Sequence, residues 1–175
     1  ELYEENDYCR IYEYAFYTCR NLEEVSFPSV IRIGSGAFAS CSKLTSLSFP
    51  ALRHIGEQAF AQCTALPEVS FENISDISSY AFAQCNALTE VYLPSLSYIN
   101  EGLFSNCINL MSLTFSTVNF VGPRAFYGCY ALSELNFPNI ENIFEYTFYN
   151  CKAIQQVNFP NVISIGSYAF ASCSQ

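Results

Sequence analysis

The sequence predicts an α/β solenoid of about eight coils, each 22 residues long. A Phe stands three residues before a Cys in every copy of the repeat, and successive copies follow at a step of 22 residues without a slip. Apolar residues also fall in seven regular positions per coil. A repeat of this length indicates stacked coils rather than one globular core. The repeated pairs are Phe16/Cys19, Phe38/Cys41, Phe60/Cys63, Phe82/Cys85, Phe104/Cys107, Phe126/Cys129, Phe148/Cys151 and Phe170/Cys173.

The coil from Leu88 to Asn109 shows how one unit is built. Its segment 91–93 alternates inward, outward and inward side chains, which is typical of a strand. Pro94 follows and ends the strand, because proline donates no N–H to a ladder. Phe104 and Cys107, three residues apart, then lie on one side of a single helical turn. Each coil therefore carries a short strand on one side and a loop or helical turn on the other.

Residues 1–175 are predicted to form a single domain, and its first coil departs from the repeat. In register, Glu5 falls in a column that Phe or Leu occupies in every later coil. We therefore interpret residues 1–19 as a degraded or capping first coil. The chain starts without Met and stops in mid-repeat, so we expect it to be part of a longer protein.

Charge and composition exclude two classes of partner. The chain has 16 acidic and 7 basic residues and a formal net charge of −9. Nucleic-acid binding needs basic surface to neutralise phosphates, so we expect no nucleic acid, and anionic membrane surfaces are disfavoured for the same reason. No apolar run approaches the length of a transmembrane helix, so we expect no membrane insertion.

Eight of the nine cysteines form one column, with one Cys in each coil. We interpret them as buried thiols that act as small apolar side chains. Disulfides between neighbouring coils are the alternative, and they would have to distort an in-register column. Cys9 lies outside the column and is expected to be the accessible thiol. The sequence contains no C-x-x-C pair and a single histidine, His54, so we predict neither a metal nor a cofactor.

The sequence predicts no catalytic site. A Ser/His/Asp arrangement would need His54, which occupies a variable position between two apolar columns. No insertion interrupts any coil, so we expect no loop large enough to build a dedicated pocket. The chain is therefore predicted not to be an enzyme.

The outward positions of the strands are the best candidates for partner contact. They form two neighbouring rows, of which the first is mildly acidic and suits a basic or hydroxyl-rich partner, and Tyr92 is the one aromatic residue in the two rows. An aromatic side chain in such a place can anchor an interface. The first row is Glu24, Ser46, Glu68, Glu90, Ser112, Glu134 and Gln156, and the second is Ser26, Ser48, Ser70, Tyr92, Thr114, Asn136 and Asn158.

The unit Leu88-x-x-Val91-x-Leu93-Pro94, followed by Ile99 and Phe104-x-x-Cys107, resembles the leucine-rich repeat in its BspA-like form. The resemblance covers positions 8–175. It implies a right-handed, curved solenoid (a horseshoe) with short parallel strands on the concave side and loops or single helical turns on the convex side. It also implies a secreted or cell-surface protein without catalytic residues, of a family whose members are often regarded as adhesins for host matrix proteins or other cells.

The function predicted from the sequence is a binding module that mediates adhesion or protein–protein interaction through the concave strand face. Its partner would be a protein, such as a host extracellular matrix or cell-surface protein, or a glycan. A structural spacer or assembly domain that carries other domains is one alternative. An intracellular regulatory module is another, because nine cysteines suit a reducing compartment.

Overall fold

The computed structural model describes residues 9–173, and these residues contain short strands joined by turns, with no helix. Strands of three residues alternate with strands of two residues along the chain, so that each complete coil contributes one of each kind. The strands are β1 Arg10–Ile11, β2 Glu24–Ser26, β3 Arg32–Ile33, β4 Ser46–Ser48, β5 His54–Ile55, β6 Glu68–Ser70, β7 Asp76–Ile77, β8 Glu90–Tyr92, β9 Tyr98–Ile99, β10 Ser112–Thr114, β11 Phe120–Val121, β12 Glu134–Asn136, β13 Asn142–Ile143, β14 Gln156–Asn158 and β15 Ser164–Ile165.

All strand pairing is parallel and joins one coil to the next, which confirms the predicted solenoid. Residues 22 positions apart stand opposite each other, as Val69 and Val91 do. The three-residue strands pair in three groups, β2–β4, β6–β8–β10 and β12–β14. The two-residue strands pair as β1–β3–β5–β7, β9–β11 and β13–β15. Each of the two ladders is therefore interrupted at two junctions between coils.

The core consists of like residues stacked on like residues. Phe38, Phe82 and Phe126 belong to one column and are fully buried. The ring of Phe82 lies between two others of the column, 5.4 Å from Phe60 and 6.0 Å from Phe104 between centroids. Because every coil adds one ring to this stack, the core continues from coil to coil instead of closing on itself.

The side of each coil opposite the three-residue strands consists of successive turns, so the predicted single helical turn is not confirmed. Two residues of each such segment have positive φ, for example Tyr80 at 57° and Gln84 at 61°. A right-handed helical turn has negative φ throughout, and these residues break it. The backbone N–H groups then alternate in direction: that of Phe82 bonds to Leu103 in the next coil, whereas that of Ala83 bonds back to Tyr80.

These alternating donors form the most regular hydrogen-bond ladder in the protein, called the turn ladder below. At each of the seven coil junctions described, three N–H groups donate to carbonyls 21 residues ahead; at one junction the donors are Tyr80, Phe82 and Gln84. Unlike the two strand ladders, the turn ladder has no interruption. It fixes the 22-residue register even where strands do not pair.

The cysteine column adds one hydrogen bond to each of the same junctions. The Sγ of Cys85 donates to the carbonyl of Phe60 at 3.3 Å, and that of Cys107 donates to Phe82 at 3.1 Å. Burial raises the pKa of Cys41 to about 11 and holds the pKa of Cys85 and Cys107 well above the ordinary value. The neutral thiol is the form that can donate, so burial and hydrogen bonding favour the same state.

The cysteine column is buried in the middle of the described stack and less buried at its two ends. All nine cysteines are free, and six of the column are buried. Cys19 is exposed, whereas Cys9 is half-buried. The expectation that Cys9 is the accessible thiol is therefore wrong, because Cys19 lies in a coil that has a described neighbour on one side only. The predicted cap falls partly on residues 1–8, outside the described residues.

We predict that Phe82→Ala destabilises the protein more than Phe170→Ala. Phe82 is fully buried between two rings of its column, and its truncation should cost roughly 3–5 kcal/mol. Phe170, in the same column, stacks on the ring of Phe148 alone within that column and is only partly buried. Urea unfolding of both variants measures the difference, and equal losses would contradict the stacked-column account.

We also predict that stability falls as pH rises above about 9, the ordinary pKa of these thiols. A pKa that is raised in the folded state favours folding below the unfolded value, and this contribution is lost as pH rises. With six buried thiols, the free energy of unfolding in reducing buffer should fall by at least about 2 kcal/mol between pH 8 and pH 9.5. Cys85→Ala with Cys107→Ala removes two of these groups and should make the decline shallower. Constant stability over this range would contradict the prediction.

Candidate binding face

The outward residues of the three-residue strands form one continuous exposed surface, called the strand face below. In β8 the middle residue Val91 is buried, and this turns Glu90 and Tyr92 outward. The middle residue is also buried in β2, β6 and β12, half-buried in β4 and β10, and exposed in the last strand, β14. The first and third residues of all seven strands, which are the fourteen residues predicted from the sequence, are exposed on this face. Their part in binding remains a prediction.

The strand face is divided into three panels by the interruptions of its ladder. The first interruption separates β4 from β6 and has a cause in the sequence. In neighbouring coils the N–H of Thr45 donates to Glu23 and that of Thr89 donates to Pro67, but Pro67 itself has no N–H to donate to Thr45. The second interruption separates β10 from β12. The largest panel, β6–β8–β10, lies between them.

The central panel combines like charges with an exposed aromatic ring. Glu68 and Glu90 stand directly opposite each other in the register of β6 and β8, and neither makes an ion pair within residues 9–173. Like charges directly opposite each other on neighbouring strands are unfavourable for a sheet. Tyr92 lies beside them with 42% of its surface exposed, flanked by Ser70 and Thr114. The panel therefore offers negative charge and one large ring to a partner.

Shallow clefts accompany both interruptions of the strand face. One of about 310 Å³ lies next to Phe49, Ser70 and Phe71 at the β4/β6 junction. Another of about 470 Å³ at the β10/β12 junction is lined in part by Met111 and Glu134. Each cleft lies where the strand ladder is interrupted and is formed without an inserted loop.

The single histidine of the chain lies beside a carboxylate. Nδ1 of His54 lies 3.8 Å from a carboxylate oxygen of Asp76, on the two-residue strands. Within residues 9–173, no group of three or more His, Cys, Asp or Glu side chains is placed to hold a metal ion. Over the same residues, no helix is long and apolar enough to cross a membrane.

A polar cluster on the turn side ties four coils together. The Tyr80 hydroxyl donates to Oε1 of Glu101 at 2.7 Å. The pKa of Tyr80 is raised mainly by burial, and to a smaller extent by its hydrogen bond to the Glu101 carboxylate. Arg124 reaches both Glu101, at 3.4 Å, and Glu145, at 3.5 Å. Its guanidinium also lies over the ring of Tyr146, 5.2 Å from the centroid. These groups satisfy one another, so we assign the cluster to structure.

Sequence reasoning did not single out a second aromatic surface, on the two-residue strands. Phe120 occupies an outward position that is polar in most coils, and Phe144 replaces the glycine of the repeat. Their ring centroids are 5.2 Å apart, and Tyr98 lies 6.1 Å from Phe120. A signal was present in the sequence, because 14 of the 16 Phe residues fall in two columns and these two do not.

Solved structures of bacterial leucine-rich repeat proteins are similar to this chain. A leucine-rich repeat protein from Eubacterium ventriosum is 25% identical with a TM-score of 0.77, and covers 87% of this chain and 43% of its own. A leucine-rich repeat protein from T. pallidum is 27% identical with a TM-score of 0.60, and the match covers 90% of this chain and 66% of that protein. A leucine-rich cell surface protein from Faecalibacterium prausnitzii is 24% identical with a TM-score of 0.64, and the match covers 95% of this chain and 63% of that protein.

The chain thus spans between 43% and 66% of the length of these three structures. No curated protein sequence matches it. The model of one family, described as a BspA type leucine-rich repeat region, matches residues 9–130 and 75–175 with six copies of the repeat. A repeat scaffold of this kind generally binds partners and is not catalytic. The 22-residue repeat, the parallel coils and this match together show that the chain belongs to the BspA-type leucine-rich repeat family.

Proposed function

We propose that this domain is a non-enzymatic binding module of a secreted or cell-surface protein, and that it mediates adhesion by holding a protein partner on its strand face. The observation that carries the proposal is the pairing of Glu68 with Glu90 beside the exposed Tyr92. An arrangement that costs stability on a rigid surface is explained if a partner compensates it. Lys or Arg side chains of a protein would neutralise the carboxylates, and Tyr92 would supply the apolar anchor.

The cysteine column is compatible with exposure outside the cell. Reaction of a thiol proceeds through the thiolate, and burial disfavours that form at the six interior positions. Each of these thiols also donates to a carbonyl of the preceding coil. An oxidising environment would therefore leave the interior column reduced, so nine cysteines do not require an intracellular location.

The alternative function is a structural spacer or assembly domain. On the last described coil, Val157 is 55% exposed and Ile165 is 63% exposed. In the interior coils the same columns are buried, for example at Val91 and Ile99. Contact with another coil or domain there would bury this surface, and that role does not need the strand face.

A combined substitution tests the strand face. We predict that Glu68→Gln, Glu90→Gln, Glu134→Gln and Tyr92→Ser together weaken binding about tenfold or more to the partner captured from a panel of purified extracellular matrix and cell-surface proteins. The reason is loss of both the charge attraction and the anchor. The measurement is the Kd by surface plasmon resonance at two salt concentrations. The wild-type Kd should depend on salt more steeply than that of the variant.

The matched control removes the same residue types from the turn side, as Glu13→Gln, Glu57→Gln, Glu145→Gln and Tyr168→Ser. All four of these positions are exposed and lie off the strand face. The control should bind like the wild type. Equal loss in both variants would assign the effect to net charge, and unchanged binding in the strand-face variant would overturn the proposal. Thermal unfolding of the strand-face variant should show no loss of stability, since it relieves the Glu68–Glu90 repulsion.

A further inference from the structure

We propose that the cleft between Phe120 and Phe144 is a binding site for the ring of a neutral sugar. It lies on the two-residue strands, separate from the strand face, and has a volume of about 190 Å³. This is below the roughly 300–1,000 Å³ of sites for drug-sized ligands, and so it fits a group the size of one ring. Its lining residues are Asn119, Phe120, Asn139, Glu141, Asn142 and Phe144.

The cleft exists because Phe144 replaces a glycine. At the equivalent Gly56 and Gly166, a Cβ would come within 2.6 and 2.7 Å of a backbone nitrogen in the preceding coil. Phe144 brings a Cβ to this crowded position, and β11 and β13 do not pair. Asn100 also replaces the glycine and interrupts the ladder between β7 and β9, but its side-chain amide restores a bond to Ile77 at 2.7 Å. Phe144 has no polar side-chain atom that could do the same.

The interruption leaves hydrogen-bonding groups available. In paired coils the N–H groups of Ile163 and Gly166 bond to Glu141 and Ile143 of the preceding coil. The equivalent N–H groups of Glu141 and Phe144 make no such bond within residues 9–173. Backbone donors that lack a partner usually find water or a ligand. The interruption thus adds directional donors to a surface that already carries aromatic rings.

The lining combines the two features by which proteins recognise sugars. Phe120 and Phe144 offer ring surface to the C–H face of a sugar, and Tyr98, which is 55% exposed, continues the aromatic row by one coil. The side chains of Asn119, Asn139 and Glu141 have no hydrogen-bond partner within the described residues. Amides donate and accept, whereas a carboxylate only accepts. Sugar hydroxyls, which do both, match this set.

The same chemistry disfavours two other ligands. A proline-rich peptide also packs on aromatic rings, but proline has no N–H to donate to Glu141. A sulfated or otherwise acidic sugar would require a cation, and no Lys, Arg or His lines the cleft. The carboxylate of Glu141 would repel such a ligand. The lining therefore selects an uncharged sugar.

The test is an NMR titration of the ¹⁵N-labelled chain with four neutral hexasaccharides in turn: cellohexaose, maltohexaose, mannohexaose and chitohexaose. At least one should shift the amide signals of Glu141, Asn142 and Phe144. In the variant Phe120→Ser with Phe144→Gly, the Kd of that saccharide should rise about tenfold or more. Both changes introduce residues that other coils carry at these positions, namely Ser164 and Gly166. The variant should therefore fold and pair β11 with β13.

Tyr92→Ser and Tyr168→Ser are the matched controls, because each removes an exposed ring elsewhere. They should change the Kd less than twofold. Absence of shifts with all four saccharides would overturn the proposal, as would equal binding by the Phe120/Phe144 variant. Shifts at the cleft with a heparin hexasaccharide or a proline-rich peptide, and none with the neutral saccharides, would overturn it in favour of that ligand. A glycoprotein compared before and after deglycosylation distinguishes a protein-linked glycan from a free polysaccharide.

Discussion

The turn ladder is the constraint on which the rest of the structure depends. At every described junction, three backbone N–H groups and one cysteine thiol bond to the neighbouring coil. This requires two residues of positive φ per coil, and most of those positions are not glycine. Each such residue other than glycine costs on the order of 1–3 kcal/mol. The cost is tolerated because the bonds to the next coil and the buried Phe column behind the turns depend on that backbone path.

Because the turn ladder holds neighbouring coils in register, strand pairing between coils can differ from one junction to the next. Each strand ladder is interrupted at two junctions, yet the Phe and Cys columns continue through all of them. Between the coils at 110–131 and 132–153 both strand ladders are absent together, and the turn ladder and the core hold these coils in register. The clefts of the two strand surfaces open at this junction. At this junction the loss of strand pairing is therefore accompanied by open space on both strand surfaces.

The two proposed surfaces differ in the chemistry they offer. The strand face presents carboxylates in register around Tyr92, which suits a basic protein surface. The cleft at Phe120 and Phe144 presents rings and amides with one carboxylate, which suits an uncharged sugar. Because they lie on different strands of the coil, a protein partner and a glycan could be held by one domain at the same time.

The sequence alone determined the repeat, the seven core columns and the fourteen outward positions of the strand face, because a strict period assigns each residue to the inside or the outside. It did not determine the backbone of the turns, since the spacing of Phe104 and Cys107 fits a helical turn as well as the left-handed turns observed. The sequence also did not predict where the strand ladders are interrupted. Whether Ser78, Asn100 or Phe144 can replace a glycine depends on the room left by the preceding coil. Pairing persists at Ser78 and fails at Phe144, and only the tertiary structure shows the cleft that results.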